Sequence, residues 1–328
     1  MDCLRGDNVQ SLLPLGDCTP VDFVLEKDSF VERAIKKPLR RYVYPPYNIL
    51  VTYWISLTCK SAVSFKIDRW LWGQRGNDFA VHRRRINRLY PLEGKEILIA
   101  GCGTARDIPS WLAYQPASVI GIDYFSYEKA WRMRLEDLKS RFPRTTIGFE
   151  QGDLSNLEGF GDERFDVIGS DAVFEHVKDL SAVLREFRRA LKPGGLLYAS
   201  FGPLWNSWGG DHISGYDGLS GGYNHLLLSR EEYQAYLDAA GTFVHSEQDG
   251  RTWIRHGLFS YLKPKEYIDS LESNGFERMF VSAIIDPRAV QYRDKCKEDS
   301  ARLASLVPDP WDLMISALVV IFRKQSAN

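Results

Sequence analysis

The chain has little cysteine and no cysteine pattern. Cys3, Cys18, Cys59, Cys102 and Cys296 are scattered over 328 positions. An odd, dispersed set supplies neither a disulfide framework nor a four-thiolate zinc site, and a reducing, cytoplasmic setting is the expectation. A charge excess is missing as well. Lys plus Arg number 42 against 43 Asp plus Glu, a formal net charge of −1, which gives no electrostatic footprint for nucleic acid or an anionic membrane. Long apolar runs are also absent. The longest is Ala317 to Phe322, and the richest window, Tyr47 to Leu57, is broken by Asn48, Thr52 and Ser56, far short of the ~20 residues a membrane helix needs. The opening MDCLRGDNVQ lacks the basic stretch and apolar run of a secretory signal. No Gly-x-x-x-x-Gly-Lys-[Ser/Thr] occurs, which excludes an ATPase-type phosphate loop.

What is present describes a globular protein: 44% apolar, 13% aromatic and 26% charged residues suffice for a large core. Residues 1–90 carry a basic cluster (Lys36, Lys37, Arg40, Arg41), a turn at Tyr44 to Tyr47 and mixed helical patterning. They are expected to form a mainly helical N-terminal extension. From Glu96 onward, short apolar runs alternate with helical spacing, as in a parallel sheet with crossover helices. The runs are Ile97 to Ala100, Ser118 to Ile122, Thr146 to Phe149, Phe165 to Gly169 and Leu196 to Phe201. A helix is expected over Leu180 to Leu191, with Leu180, Val183, Leu184, Phe187 and Leu191 on one stripe, stopped by Pro193-Gly194-Gly195. After Phe201 the alternation lapses for about sixty residues, too many for a simple connection. It resumes with a helix over Lys265 to Ser273, an extended run Phe276 to Ile285, a helix Pro287 to Leu306 and a last strand Leu313 to Phe322. There is no internal repeat.

The most informative stretch is Glu96-Ile-Leu-Ile-Ala100-Gly101-Cys102-Gly103-Thr-Ala105-Arg106-Asp107. A buried strand runs into two glycines that permit a tight turn against a ligand at the start of a helix. Twenty residues beyond Gly103 stands Asp123, placed to accept hydrogen bonds from both hydroxyls of a ribose. A dinucleotide fingerprint wants a small residue where this chain has Arg106, which argues against a nicotinamide-dependent oxidoreductase.

These residues resemble the class I S-adenosylmethionine-dependent methyltransferases, in particular the branch acting on small molecules. Ile97 to Asp107 is similar to that family's first motif, Ile120 to Tyr124 to its second, Gln151-Gly-Asp153-Leu154 to its third, and Arg164 to Val177 to its fourth. Arg185 through Leu197 resembles the approach to its fifth strand. The resemblance implies a Rossmann-like, doubly wound α/β fold: a seven-stranded sheet with the last strand antiparallel, plus the N-terminal extension and an insertion covering the site after strand five. It implies S-adenosyl-L-methionine as cofactor, with Gly101, Cys102 and Gly103 at the methionine part, Asp123 at the ribose, Tyr124 on the adenine face, and Asp153 with Leu154 at the adenine amino group. Ser170 and Asp171 would border the transferable methyl. The family usually has an acidic residue where this chain has Ala100, and glycine where it has Ala105. The missing carboxylate leaves the ligand's ammonium end to Asp107 or Asp171. On this division, residues 1–90 are the extension, 91–204 the cofactor-binding core, 205–262 the cover over the acceptor and 263–328 the closing strands and helices.

The expected function is methyl transfer to a small-molecule acceptor, with oxygen favoured. A hydroxyl acceptor benefits from a base, and the candidates are His212, oriented by Asp211, and then His176. Trp205 and Trp208 are candidate walls. Glu175, His176, His212 and Asp171 form a weaker candidate metal set, and no metal is expected. Two alternatives remain: a protein that binds the cofactor without transferring methyl, and the nicotinamide enzyme. Trp70-Leu-Trp72 and Tyr53-Trp54 are read as helix packing, Arg83-Arg84-Arg85 as a solvated helix face, and His225, His245 and His256 as surface or packing residues. No nucleic acid or membrane partner is expected.

Overall fold

The computed structural model of the protein describes residues 80–240 and 250–326, with residues 34, 35, 38–43, 50, 69 and 70. Tyr44 to Tyr47, Tyr53-Trp54, Trp72 and His245 lie outside the described residues. Seven strands build the sheet: β1 (Glu96–Ala100), β2 (Ser118–Asp123), β3 (Thr146–Gln151), β4 (Phe165–Asp171), β5 (Leu191–Phe201), β6 (Phe276–Ile285) and β7 (Ile315–Lys324). Their order is β3-β2-β1-β4-β5-β7-β6. Arg69–Trp70 add an eighth, two-residue strand parallel to β6. Trp70 therefore belongs to a sheet edge rather than a helix. Strand β7 runs antiparallel to both neighbours, and β1 to β5 are mutually parallel.

Both faces of the sheet are covered, as residue alternation in the central strands requires. Leu98 and Ala100 enter one core with Phe165, Ile168, Leu197 and Ala199. Ile97 and Ile99 face the other way, into a core with Trp111, Trp131, Val167 and Tyr198. The described helices are α1 (Ala80–Leu89), α2 (Pro109–Leu112), α3 (Glu128–Arg141), α4 (Leu180–Ala190), α5 (Asn224–Leu227), α6 (Arg230–Ala240), α7 (Gly250–Arg255), α8 (Pro264–Ser273), α9 (Pro287–Lys295), α10 (Lys297–Leu306) and α11 (Pro310–Met314). In α4, Asp179 caps the helix by accepting from Ala182 N at 2.9 Å, and Leu180, Val183, Leu184 and Phe187 form the buried stripe. Truncating the fully buried Leu184 to alanine would cost about 2–5 kcal/mol.

Three boundaries differ from expectation. Leu191 opens β5 instead of closing α4, and Lys192 to Gly195 ride in an irregular stretch of that strand between its pairings with Phe165 and Val167. The helix read over Pro287 to Leu306 breaks at Cys296, whose backbone leaves the helical region while its N–H still reaches Tyr292 O at 2.7 Å. Leu313 and Met314 are helical, because Asp309 accepts from Trp311 N and Pro310 opens α11. The chain visits β1, β2 and β3 on one side and returns to β4 on the other. The crevice of this doubly wound sheet thus falls at the carboxyl ends of β1 and β4. Residues between β5 and α8 pack a small core of their own over those ends: Trp205, Ile213, Tyr233, Leu237, Ile254 and Phe259.

Candidate active site

At the end of β1, Gly101 (φ 71°) and Gly103 (φ 48°) adopt the left-handed region that favours glycine. Gly101 has no room for a Cβ, which would strike Val173. A Cβ on Gly103 would meet nothing within 4 Å, so open space adjoins it. Asp123 closes the bend. Its Oδ2 accepts from Gly103 N at 2.7 Å and its Oδ1 from Phe125 N at 3.0 Å. Burial pushes its carboxyl up, and the backbone N–H groups of Gly103, Phe125 and Tyr124 oppose that shift. Each oxygen keeps a lone pair for a ligand hydroxyl. Trp131 Nε1 donates to Gly103 O at 2.7 Å and stacks on Phe149, locking the bend from outside.

The helix expected to start at the bend does not start there; turns lead to the four-residue α2. Asp123 takes the Gly103 amide of the bend, while the amides of Gly101 and Cys102 donate to Ile122 O at 2.8 and 3.1 Å. Ala105 takes a left-handed φ of 62° while fully buried, which accounts for the glycine usual there. Arg106 is not wedged between helix and strand. It projects outward and pairs with Asp107 at 3.0 Å, so the steric objection to a dinucleotide drawn from it does not hold.

Tyr124 is exposed. Asp153 is exposed too and accepts from Ser155 N and Oγ, both at 2.8 Å, while Leu154 is buried in the core beside it. Cys102 packs against the small Gly121, and burial pushes its thiol well up. Ser170 Oγ donates to Ala100 O. Asp171 accepts from Tyr198 OH at 2.7 Å and pairs with Arg83. Arg83 corrects the reading of its triplet as a solvated face. It is fully buried over the Trp111 and Tyr198 rings, Arg85 lies over Phe280, and only Arg84 is exposed. The one sequence signal was that Arg83 shares a helix stripe with Ile86.

The other side of the crevice is aromatic. His176 contacts His212 (ring centroids 4.9 Å), Trp253 (4.6 Å) and Phe259 (5.3 Å). Phe125 joins through Trp253. His176 Nδ1 lies 2.8 Å from Leu258 O, which fixes the proton on Nδ1 and leaves Nε2 as acceptor. Burial lowers His176 to about 4. His212 Nε2 is buried without a hydrogen-bond partner, and burial with the neighbouring His176 holds its pKa well below the ordinary value. Both rings are neutral at pH 7.

Asp211 does not orient His212. It is consumed inside the cover by Ile213 N, Ser214 N, Ser214 Oγ and Tyr233 OH. Trp205 and Trp208 are cover packing: Trp205 stacks edge-on to His225, Phe259 and Tyr261, and Trp208 donates to Leu219 O under Arg288. His225 is wholly buried between Ser214 Oγ and Trp205 O. Glu175, which the sequence brought forward only as a metal ligand, is a buried carboxyl. Its Oε1 accepts from Gly202 N at 3.0 Å, its Oε2 has no partner, and burial raises it to about 8. Among the described residues no three His, Cys, Asp or Glu side chains converge as metal ligands would, and no helix is long and apolar enough to cross a membrane.

A switch-point crevice with a glycine bend and a carboxylate beside it is the arrangement in which doubly wound folds hold nucleotide-type cofactors. Residues 98–199 match a family model described as a methyltransferase domain, and this segment belongs to the class I S-adenosylmethionine-dependent methyltransferases. The arsenite methyltransferase of Aquipseudomonas alcaligenes is 37% identical over 115 residues, 33% of this chain and 33% of that protein. A ubiquinone biosynthesis O-methyltransferase of Cereibacter sphaeroides is 32% identical over 118 residues, 36% of this chain and 45% of that protein. The chain thus spans less than half the length of these two curated relatives. A solved S-adenosylmethionine-dependent methyltransferase from Mesorhizobium loti aligns at 20% identity with a TM-score of 0.43, over 73% of this chain and 96% of that one. Membership of this family sets aside the nicotinamide alternative.

Proposed function

We propose that the protein transfers a methyl group from S-adenosylmethionine to a small, uncharged acceptor held beneath the cover, with oxygen the favoured target. The observation that carries this reading is the Asp123 clasp: one carboxylate ties the bend at Gly103 N (2.7 Å) and keeps lone pairs for ribose hydroxyls. Gly101, Cys102 and Gly103 would line the amino-acid part, Tyr124 and Leu154 the adenine, and Asp153 its amino group. The cofactor, when bound, supplies an already activated methyl. The chain's own task is to align a nucleophile and exclude water.

The acceptor side supports an uncharged substrate. Glu175 stays protonated up to about 8 and His176 stays neutral down to about 4, so a charged acceptor would be desolvated among rings without a counter-ion. His212 serves as base through its unpartnered Nε2 without help from Asp211, and His176 is the second proton acceptor on the same wall. Incubating the protein with S-adenosylmethionine and a panel of phenols, neutral alcohols and amines tests this. S-adenosylhomocysteine should form with a neutral hydroxyl compound. Retained cofactor binding with no product from any acceptor would favour the binding-only alternative, to which Ala100 and Ala105 lend support.

A further inference from the structure

The cover touches the cofactor loop at Trp253 of α7. Phe125 stands two residues beyond Asp123 and donates its N–H to Asp123 Oδ1 at 3.0 Å. Its ring lies edge-on to the exposed Tyr124 (centroids 5.4 Å, 89°) and 5.9 Å from the Trp253 ring. Trp253 also faces the acceptor side, where it lies 4.6 Å from the His176 ring at a tilt of 30°. We infer that Trp253 is the positioning residue of the acceptor wall and that Phe125 sets it, so that a nucleoside on the cofactor loop brings the His176 and His212 rings into place. The nucleoside is that of the S-adenosylmethionine reading above, on which this inference rests.

Two separate fixings of His176 lead back to Trp253. One is the ring contact. The other runs through the backbone: Trp253 O accepts from Leu258 N at 2.8 Å, and Leu258 O takes the His176 Nδ1 proton at 2.8 Å. A shift of Trp253 therefore moves both a ring face and the carbonyl that fixes the tautomer. His212 follows, because its ring lies 4.9 Å from that of His176. The other end of the relay is equally short. A ligand held by Asp123 and Tyr124 would grip the two residues directly before Phe125, whose backbone is already tied to Asp123. Trp253 is half-buried, a ring set between two walls rather than inside one. A ligand shifts such an arrangement only by binding one form better than the other. With one aromatic pair as the link, the coupling is about two- to tenfold.

Hydrogen exchange of the full chain, read by mass spectrometry, tests this with S-adenosylhomocysteine and with adenosine, each brought to saturation by calorimetry. In the wild type both ligands should slow exchange over residues 250–262 about two- to tenfold. Phe125→Leu removes the ring and keeps the N–H on Asp123. It should bind both ligands within about tenfold of wild type yet show no ligand-dependent slowing, and Phe125→Tyr should restore the slowing. Trp253→Leu cuts the relay from the other side and should lose the slowing over residues 256–262, with Trp253→Phe restoring it. If one leucine variant does not fold, the other carries the test. Slowing that survives in a folded leucine variant, or that neither ring-keeping variant restores, would overturn the inference. So would a wild type in which bound ligand leaves residues 250–262 unchanged. A loss of affinity beyond about tenfold in Phe125→Leu would overturn it too, since the ring would then hold the ligand itself. A wild type that binds neither compound would instead overturn the cofactor reading.

Discussion

The two walls of the crevice are made of different materials. On the cofactor side, an ionisable carboxylate, Asp123, is held by the backbone amides of Gly103 and Phe125, next to the exposed Tyr124 and Asp153. On the proposed acceptor side, half-buried His176 lies against Trp253 and Phe259 and half-buried His212 against Phe259, Glu175 is buried on Gly202 N, and desolvation favours the neutral form of all three. The first wall suits a polar, charged ligand that exchanges with solvent. The second suits desolvation of a neutral nucleophile, where one proton acceptor has large leverage.

This contrast can be broken most forcefully at His212. Replacing it with Gln should lower kcat about 10²–10⁴-fold while S-adenosylhomocysteine affinity holds; an unchanged kcat would remove the base. Glu175 sharpens the contrast through pH. Its folded-state pKa is raised by burial from 4.5 to about 8, so between those values the folded chain keeps a proton that the unfolded chain has lost, and stability falls as pH rises. His176, lowered from 6.5 to about 4, acts oppositely, with stability falling as pH drops below 6.5. Glu175→Gln should therefore be more stable than wild type at pH 8, by on the order of 1 kcal/mol or more, and should lose that advantage at pH 4.5. Thermal melts at the two pH values read this directly, and a variant without any gain at pH 8 would show that Glu175 is ionised. The smallest effect is expected at Arg106. Its exposed pair with Asp107 is worth roughly 0–1 kcal/mol, so Arg106→Ala should leave both the melt and cofactor affinity essentially unchanged.

The glycine bend and the acids at the strand ends could be placed from the sequence because their positions are local. Gly101, Gly103, Asp123 and Asp153 sit at the ends of three successive strands, and strand periodicity with glycine punctuation locates such ends. The fold followed by the same logic, with errors where side-chain caps at Asp309, a backbone break at Cys296, the early strand start at Leu191 or the edge pairing of Trp70 decided the outcome. The acceptor wall draws on residues from 174 to 261, and α1 adds Arg83. Within Arg83-Arg84-Arg85, only the stripe shared with Ile86 marks the arginine that is buried against Asp171. Nor does adjacency help with Asp211, which lies next to His212 in sequence yet bonds to Ser214 and Tyr233. Tertiary packing chose those partners.

The most direct measurement is a calorimetric titration of the full chain with S-adenosylhomocysteine, run beside Asp123→Ala. A single site is expected in the wild type, weakened in the variant by about 1–3 kcal/mol as the ribose hydroxyls lose a charged acceptor. An absence of binding by the wild type at millimolar ligand, or equal affinity in the two proteins, would contradict the account.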